Sequence, residues 1–143
     1  MILRKNLYSK LLGFFIKKGK KVKSKKILDN AFFLVSIKTG FSFCYILYTL
    51  FLKLNIFVEA KKVRIKRRSV VVPFSISLKR RSYLVTKWLM QSVLQNEGRI
   101  LTEIKLFEEI LKVLTNSSSK SLKMKSLNNS QALANRSNIH YRW

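Results

Sequence analysis

A chain that carries a formal charge of +24 on 143 residues repels itself in any compact state, so its fold must be one that a polyanionic partner completes. Thirty lysines and arginines stand against six acids, yet 48% of the residues are hydrophobic, enough for a core and an argument against wholesale disorder. One cysteine, Cys44, excludes an internal disulfide. With a single histidine, His140, it also excludes a zinc site of the usual Cys/His type. Six scattered acids give no carboxylate cluster for acid–base work or for Mg²⁺. We therefore expect no catalytic residue, metal, cofactor or small-molecule substrate. The composition points to a structural, polyanion-binding protein and away from an enzyme.

The cations fall in three runs: ten between Arg4 and Lys26 with no acid, nine between Phe57 and Arg81 with Glu59 alone, and five after Leu114 with none. Lysine and arginine on phosphates release condensed counterions, which supplies most of the sequence-independent affinity for nucleic acid. The candidate contacts are Lys17, Lys18, Lys20, Lys21, Lys23 and Lys25 in the first run and Lys61, Lys62, Arg64, Lys79, Arg80 and Arg81 in the second. Arg136 and the ending His140-Tyr141-Arg142-Trp143 complete the set; planar groups beside cations stack on unpaired bases. A membrane reading competes. Thr39–Leu52 is apolar between Lys38 and Lys53, but fourteen helical residues reach only ~21 Å against a ~30 Å hydrocarbon core. A buried helix is preferred to a membrane anchor, with Cys44 inside it as a small hydrophobe.

Periodicity outlines the rest. A short helix over Ser9–Lys18 stops at Gly19, and Gly19–Lys26 is a cationic turn into a second helix burying Ile27, Ala31, Leu34 and Val35. Gly40 ends that helix, and Ser42 is the N-cap of a third running to about Leu54. Strand alternation follows, weakly over Val58–Ile65 and strongly over Ser69–Leu78, giving a hairpin at about 57–78 with Lys66-Arg67-Arg68 at its tip. Pro73 lacks an amide donor and is expected at an outward edge or a bulge. Two more helices cover Ser82–Gln95, capped by Ser82, and Ile100–Leu114, whose inward stripe is Ile100, Ile104, Phe107, Leu111 and Leu114. Glu97 and the three acids of the last helix mark its face as the side away from nucleic acid. Trp88, Leu89, Phe107 and Leu111 are expected to pack together. In the polar tail, 115–143, Leu122, Leu127, Leu133 and Ile139 are the expected anchors. The expected fold is a single, mainly α domain over 1–143, a bundle of about five to six helices with one protruding β-hairpin.

In order along the chain, several motifs resemble one family. Leu11-Leu12-Gly13-Phe14-Phe15 precedes Gly19-Lys20-Lys21; Val58-Glu59 opens a basic strand; Val71-Val72-Pro73-Phe74 returns; and Arg80-Arg81 precedes Lys87-Trp88-Leu89. The tail has Ala132-Leu133-Ala134-Asn135-Arg136 and ends His-Tyr-Arg-Trp. The set resembles the small-subunit ribosomal protein seven family (S-seven), of bacterial and organellar type. It departs from that pattern at Leu127-Asn128-Asn129, which lacks the family's acid and His, and at Ile65–Arg68, which replaces a Gly-rich tip. The resemblance implies direct binding to the 3′ major domain of small-subunit ribosomal RNA, nucleation of head assembly and neighbouring ribosomal proteins as partners. It also implies a hairpin tip, Lys66-Arg67-Arg68, near exit-site tRNA and messenger RNA. Phe, Tyr, Ile, Asn and Lys make 57 residues while Ala, Gly and Pro make 9, the signature of an A/T-rich gene. With the first family motif near Tyr8, leaving little room for a cleaved presequence, the expected location is the mitochondrial ribosome, by synthesis inside the organelle. A plastid or a bacterial cytoplasm stays open.

Overall fold

The computed structural model describes residues 2–95 and 100–142, with side chains from Leu7 onward; Glu97 and Trp143 lie outside the described residues. Among the described residues, six α-helices and a C-terminal 3₁₀ helix flank one antiparallel hairpin: α1 Ile2–Phe15, α2 Lys21–Thr39, α3 Phe43–Leu54, β1 Val58–Ile65, β2 Arg68–Ser75, α4 Leu78–Leu94, α5 Thr102–Leu114, α6 Lys120–Ala134 and the 3₁₀ helix Arg136–Tyr141. The chain is mainly helical with one hairpin, as its periodicity predicts.

Local signals set most of the boundaries. The α1 helix ends because Lys18 (φ 51°) and Gly19 (φ 71°) both turn left-handed. It also begins well before Ser9, earlier than the periodicity predicts. Gly40 closes α2 at φ 70°, its N–H bonding Ser36 O. The Ser42 hydroxyl accepts from Tyr45 N at the start of α3, which ends at Leu54 as expected. By contrast, α4 starts at Leu78 with Ser77 at the N-cap, so Leu78 is not a strand residue and Ser82 is buried within the helix.

The main core gathers the inner faces of five helices. Leu7, Leu11, Leu12 and Phe15 of α1 meet Leu28, Phe32 and Val35 of α2, Ile46, Leu50 and Leu54 of α3, Val85, Leu89 and Val93 of α4, and Leu106, Ile110 and Val113 of α5. Two helical faces differ from the expected ones. In α2 the buried set is Leu28, Ala31, Phe32 and Val35, with Ile27 half-buried and Leu34 exposed. In α5, Leu106, Glu109, Ile110 and Val113 face inward, while Phe107, Leu111 and Leu114 are half-buried and Ile100 and Ile104 are exposed. Both helices carry apolar residues most of the way round, so the spacing leaves their phase ambiguous. The cost of a fully buried Phe→Ala change, about 3–5 kcal/mol, therefore belongs to Phe32 rather than Phe107.

A second, smaller cluster seats the hairpin. Trp88 packs with Ile56, Ile76 and Leu84, backed by Met124, and not with Phe107 and Leu111 as expected. Cys44 is exposed at the start of α3 and fills no core position. The α3 helix buries Ile46, Leu47, Leu50, Phe51 and Leu54, the core role expected of the apolar segment. No single helix among the described residues is long and apolar enough to cross a membrane.

Candidate nucleic-acid interface

The exposed cations of the α1–α2 turn and of the start of α4 converge on one end of the bundle, and identifiable contacts bring them there. The Ser24 hydroxyl donates to Phe15 O (3.0 Å) and Lys20 O (3.1 Å), tying the start of α2 to the end of α1. Phe14 meets Tyr83 at 5.3 Å between rings, and the Lys10 ammonium donates to Lys79 O at 3.1 Å and to the Ser82 hydroxyl. The α1–α2 turn therefore lies beside the first turn of α4. Lys17, Lys18, Lys20, Lys21, Lys23 and Lys25 are exposed there, as are Lys79 and Arg80, and Arg81 is half-buried. Neither α2 nor α4 has an acid in its first turn or a side-chain capping bond at its N-cap. Cations at the positive end of a helix dipole work against the helix, whereas an anion there takes up the free N–H groups and the charge together. A phosphate backbone relieves both.

Several expected contact residues also have internal partners. Arg80 grips Glu59 of β1 with two bonds, Nη2–Oε1 at 2.7 Å and Nε–Oε2 at 3.1 Å, while Lys61 lies 3.7 Å from the same carboxylate. Arg81 donates from Nε to Ile76 O at 3.1 Å and sits 4.3 Å over the Phe57 ring. These arginines brace the hairpin base. Lysines elsewhere cap helix C-termini: Lys53 donates to Leu114 O, Lys120 to Gln95 O (3.3 Å) and Lys125 to Lys53 O (2.6 Å). Burial pushes the Lys125 ammonium below its ordinary pKa.

The Arg80 bonds hold the Glu59 carboxyl below its ordinary value of 4.5 despite partial burial. A depressed carboxylate contributes stability that is full above the unfolded pKa and is lost as pH falls through the folded one. Urea midpoints of the native chain and Glu59→Gln should thus converge as pH drops below 4.5. A gap that stays constant or widens on acidification would contradict the brace.

The hairpin is in register from Val58↔Ser75 to Ile65↔Arg68, leaving Lys66 and Arg67 as a two-residue turn, with Lys66 at φ 52°. Lys61, Lys62 and Arg64 are exposed along β1. Pro73 pairs with Ala60 without a bulge and is buried rather than outward-facing: its missing donor falls on the free edge of the two-stranded sheet, which the tail covers. The tail closes both edges. The Asn128 side chain accepts from Ala60 N (3.3 Å) and donates to Val58 O (2.8 Å), as a third strand's peptide would. On β2, Asn138 donates to Val71 O at 3.1 Å and Arg142 to Pro73 O at 2.6 Å. Leu122 of the expected tail anchors is half-buried; Leu127, Leu133 and Ile139 are exposed, since polar bonds to the strand edges do much of the docking.

This docking joins two regions that are far apart in sequence. Tyr141 and the tip residues Ile65, Lys66, Arg67, Arg68 and Val70 line one open cleft of about 470 Å³. The His140 and Tyr141 rings lie 3.9 Å apart, and His140 Nδ1 is 2.7 Å from Ser137 O. Arg136 is exposed beside a second cleft of about 380 Å³, shared with Val58, Pro73, Leu133 and Ile139. Among the described residues no group of three His, Cys, Asp or Glu side chains is placed to hold a metal ion.

A helical bundle that crowds cations onto two helix starts, braces a basic hairpin from the same end and closes it with an aromatic tail has the build of a polyanion-binding structural protein. The chain belongs to the ribosomal protein S7p/S5e family, whose sequence profile matches residues 2–136. It is 31% identical over 137 residues to the small ribosomal subunit protein uS7 of Thermodesulfovibrio yellowstonii, covering 96% of this chain and 86% of that one. It is 28% identical over 137 residues to the uS7 protein of Thermotoga petrophila (96% and 87%) and 30% over 135 residues to that of Clostridioides difficile (94% and 85%). The family is one of non-enzymatic structural proteins of the small ribosomal subunit.

Proposed function

We propose that this chain binds the 3′ major domain of small-subunit ribosomal RNA directly and nucleates assembly of the subunit head. The convergence of the α1–α2 turn, the start of α4 and the hairpin base carries the reading, because it places cations from two sequence-distant runs on one rigid end of the bundle. Phosphates held there dock the domain, and the exposed tip with Tyr141 reaches towards exit-site tRNA and messenger RNA. A composition rich in residues with A/T-rich codons fits an organellar gene or that of a reduced bacterium, and the mitochondrial ribosome is the site of action in this reading. Competition between transcripts of the 3′ major and 5′ domains is the test: preference for the former is expected, and equal affinity would contradict it.

The same geometry predicts a division of labour. Arg80 and Arg81 double as braces, so Lys20→Gln with Lys21→Gln isolates the contribution of charge at the base. That variant should enter purified small subunits poorly, whereas Gln at Lys66, Arg67 and Arg68 should leave incorporation largely intact and alter tRNA or messenger RNA handling. The reverse pattern of incorporation would overturn the assignment.

A further inference from the structure

Opposite in character to the cationic end is the groove between α2 and α5. Residues 27–37 of α2 and 100–104, which lead into α5, contain no lysine or arginine and include Asp29 and Glu103, in a chain of charge +24. The two helices pack along each other, with Asn30 Nδ2 donating to Glu103 Oε2 at 3.4 Å and Lys38 Nζ 5.7 Å over the Phe107 ring. Asn30, Phe33, Leu34 and Ile37 form one helical stripe, and the N-cap residue Leu101 with Ile104, Lys105 and Glu108 of α5 forms its counterpart. These apolar side chains are not core: Phe33 is 65% exposed, Ile37 66% and Leu101 67%. Contiguous exposed apolar surface of this kind marks an interaction site.

We propose that this groove is a protein-docking surface, and that its occupant is a segment of a neighbouring protein bearing apolar side chains flanked by lysine or arginine. Charge decides between the two classes of macromolecule. An RNA backbone brought here meets Glu103 and Glu108, while the flanking cations are already engaged: Lys38 lies over an aromatic ring, and Lys105 is half-buried with a partner of its own. A basic segment meets complementary carboxylates at the rim and apolar surface between them. The inference rests on the ribosomal reading, which surrounds the chain with other small-subunit proteins.

The experiment places a photo-reactive benzoyl-phenylalanine at Ile37, and separately at Lys23, in the full chain assembled into small subunits. After irradiation of purified subunits, the Ile37 position should crosslink to a Lys/Arg-bearing peptide of another protein, and the Lys23 position to ribosomal RNA. Adding Glu108→Lys should lower the protein crosslink per incorporated chain about tenfold, since like charges now face each other. Crosslinking of the Ile37 position to RNA, its failure to crosslink, or indifference to Glu108→Lys would each overturn the docking surface while leaving the RNA-binding reading intact. Absence of the chain from subunits would overturn both.

Discussion

Raising salt from about 50 to 200 mM should weaken binding of the isolated protein to small-subunit ribosomal RNA by about 10³–10⁵-fold, the loss expected when ~6–10 phosphates are neutralised. The exposed lysines of the α1–α2 turn and α2 start, with Lys79, Lys61, Lys62 and Arg64, supply that number without calling on the bracing arginines. Each phosphate contact releases condensed counterions, and the gain from release shrinks as the bulk concentration rises. Arg80 offers less, because Glu59 already neutralises it. Its replacement should change the salt slope less than replacement of Lys20. Filter binding across a salt series reads both quantities, and a nearly flat titration would rule out phosphate-dominated binding.

Replacing Glu109 by Leu should cost about 2–4 kcal/mol of stability, because it orphans two buried donors. Glu109 is 2% exposed on α5 and accepts from the Ser121 N–H (3.0 Å) and hydroxyl (2.6 Å) at the start of α6. Ser92 of α4 completes the network, its hydroxyl 2.9 Å from that of Ser121 and donating to Leu89 O. A carboxylate against a helix N-terminus also complements its dipole. The tail hangs from this joint: α6 supplies Asn128 to one hairpin edge, and the 3₁₀ helix after it supplies Asn138 to the other. Glu109→Gln keeps an acceptor in place and should cost about 1 kcal/mol. Urea denaturation of the two variants separates the cases, and equal stability of Leu and Gln at this position would remove the joint from the account.

Much of this fold is legible in the sequence where the signal is local. Ser42 and the apolar run after it mark α3, and the alternation of Val70, Val72 and Phe74 marks β2, because a cap and a pleat are each set by near neighbours. The faces of α2 and α5 are not legible. Phe33, Ile37 and Ile104 are apolar but face outward, and a helix apolar on two sides does not declare which side is core. The tail hides for the opposite reason. Asn128 and Asn138 look like solvent-facing polar residues, and only the folded hairpin supplies the strand edges they bond. The same limit applies to the interface: the cation runs are plain in the sequence, but their convergence is tertiary. Nothing local distinguishes Lys20, with its charge free for phosphate, from Arg80 or Arg81, which hold the hairpin to α4.

The central claim is that this charge is matched by the small ribosomal subunit. Sedimentation of cell extract through a sucrose gradient, with an epitope-tagged copy of the full chain followed across the fractions, tests it directly. The account predicts that the chain travels with the small-subunit peak at low salt and with whole ribosomes when subunits are joined. A chain that stays at the top of the gradient, or floats with membrane lipid, would contradict it.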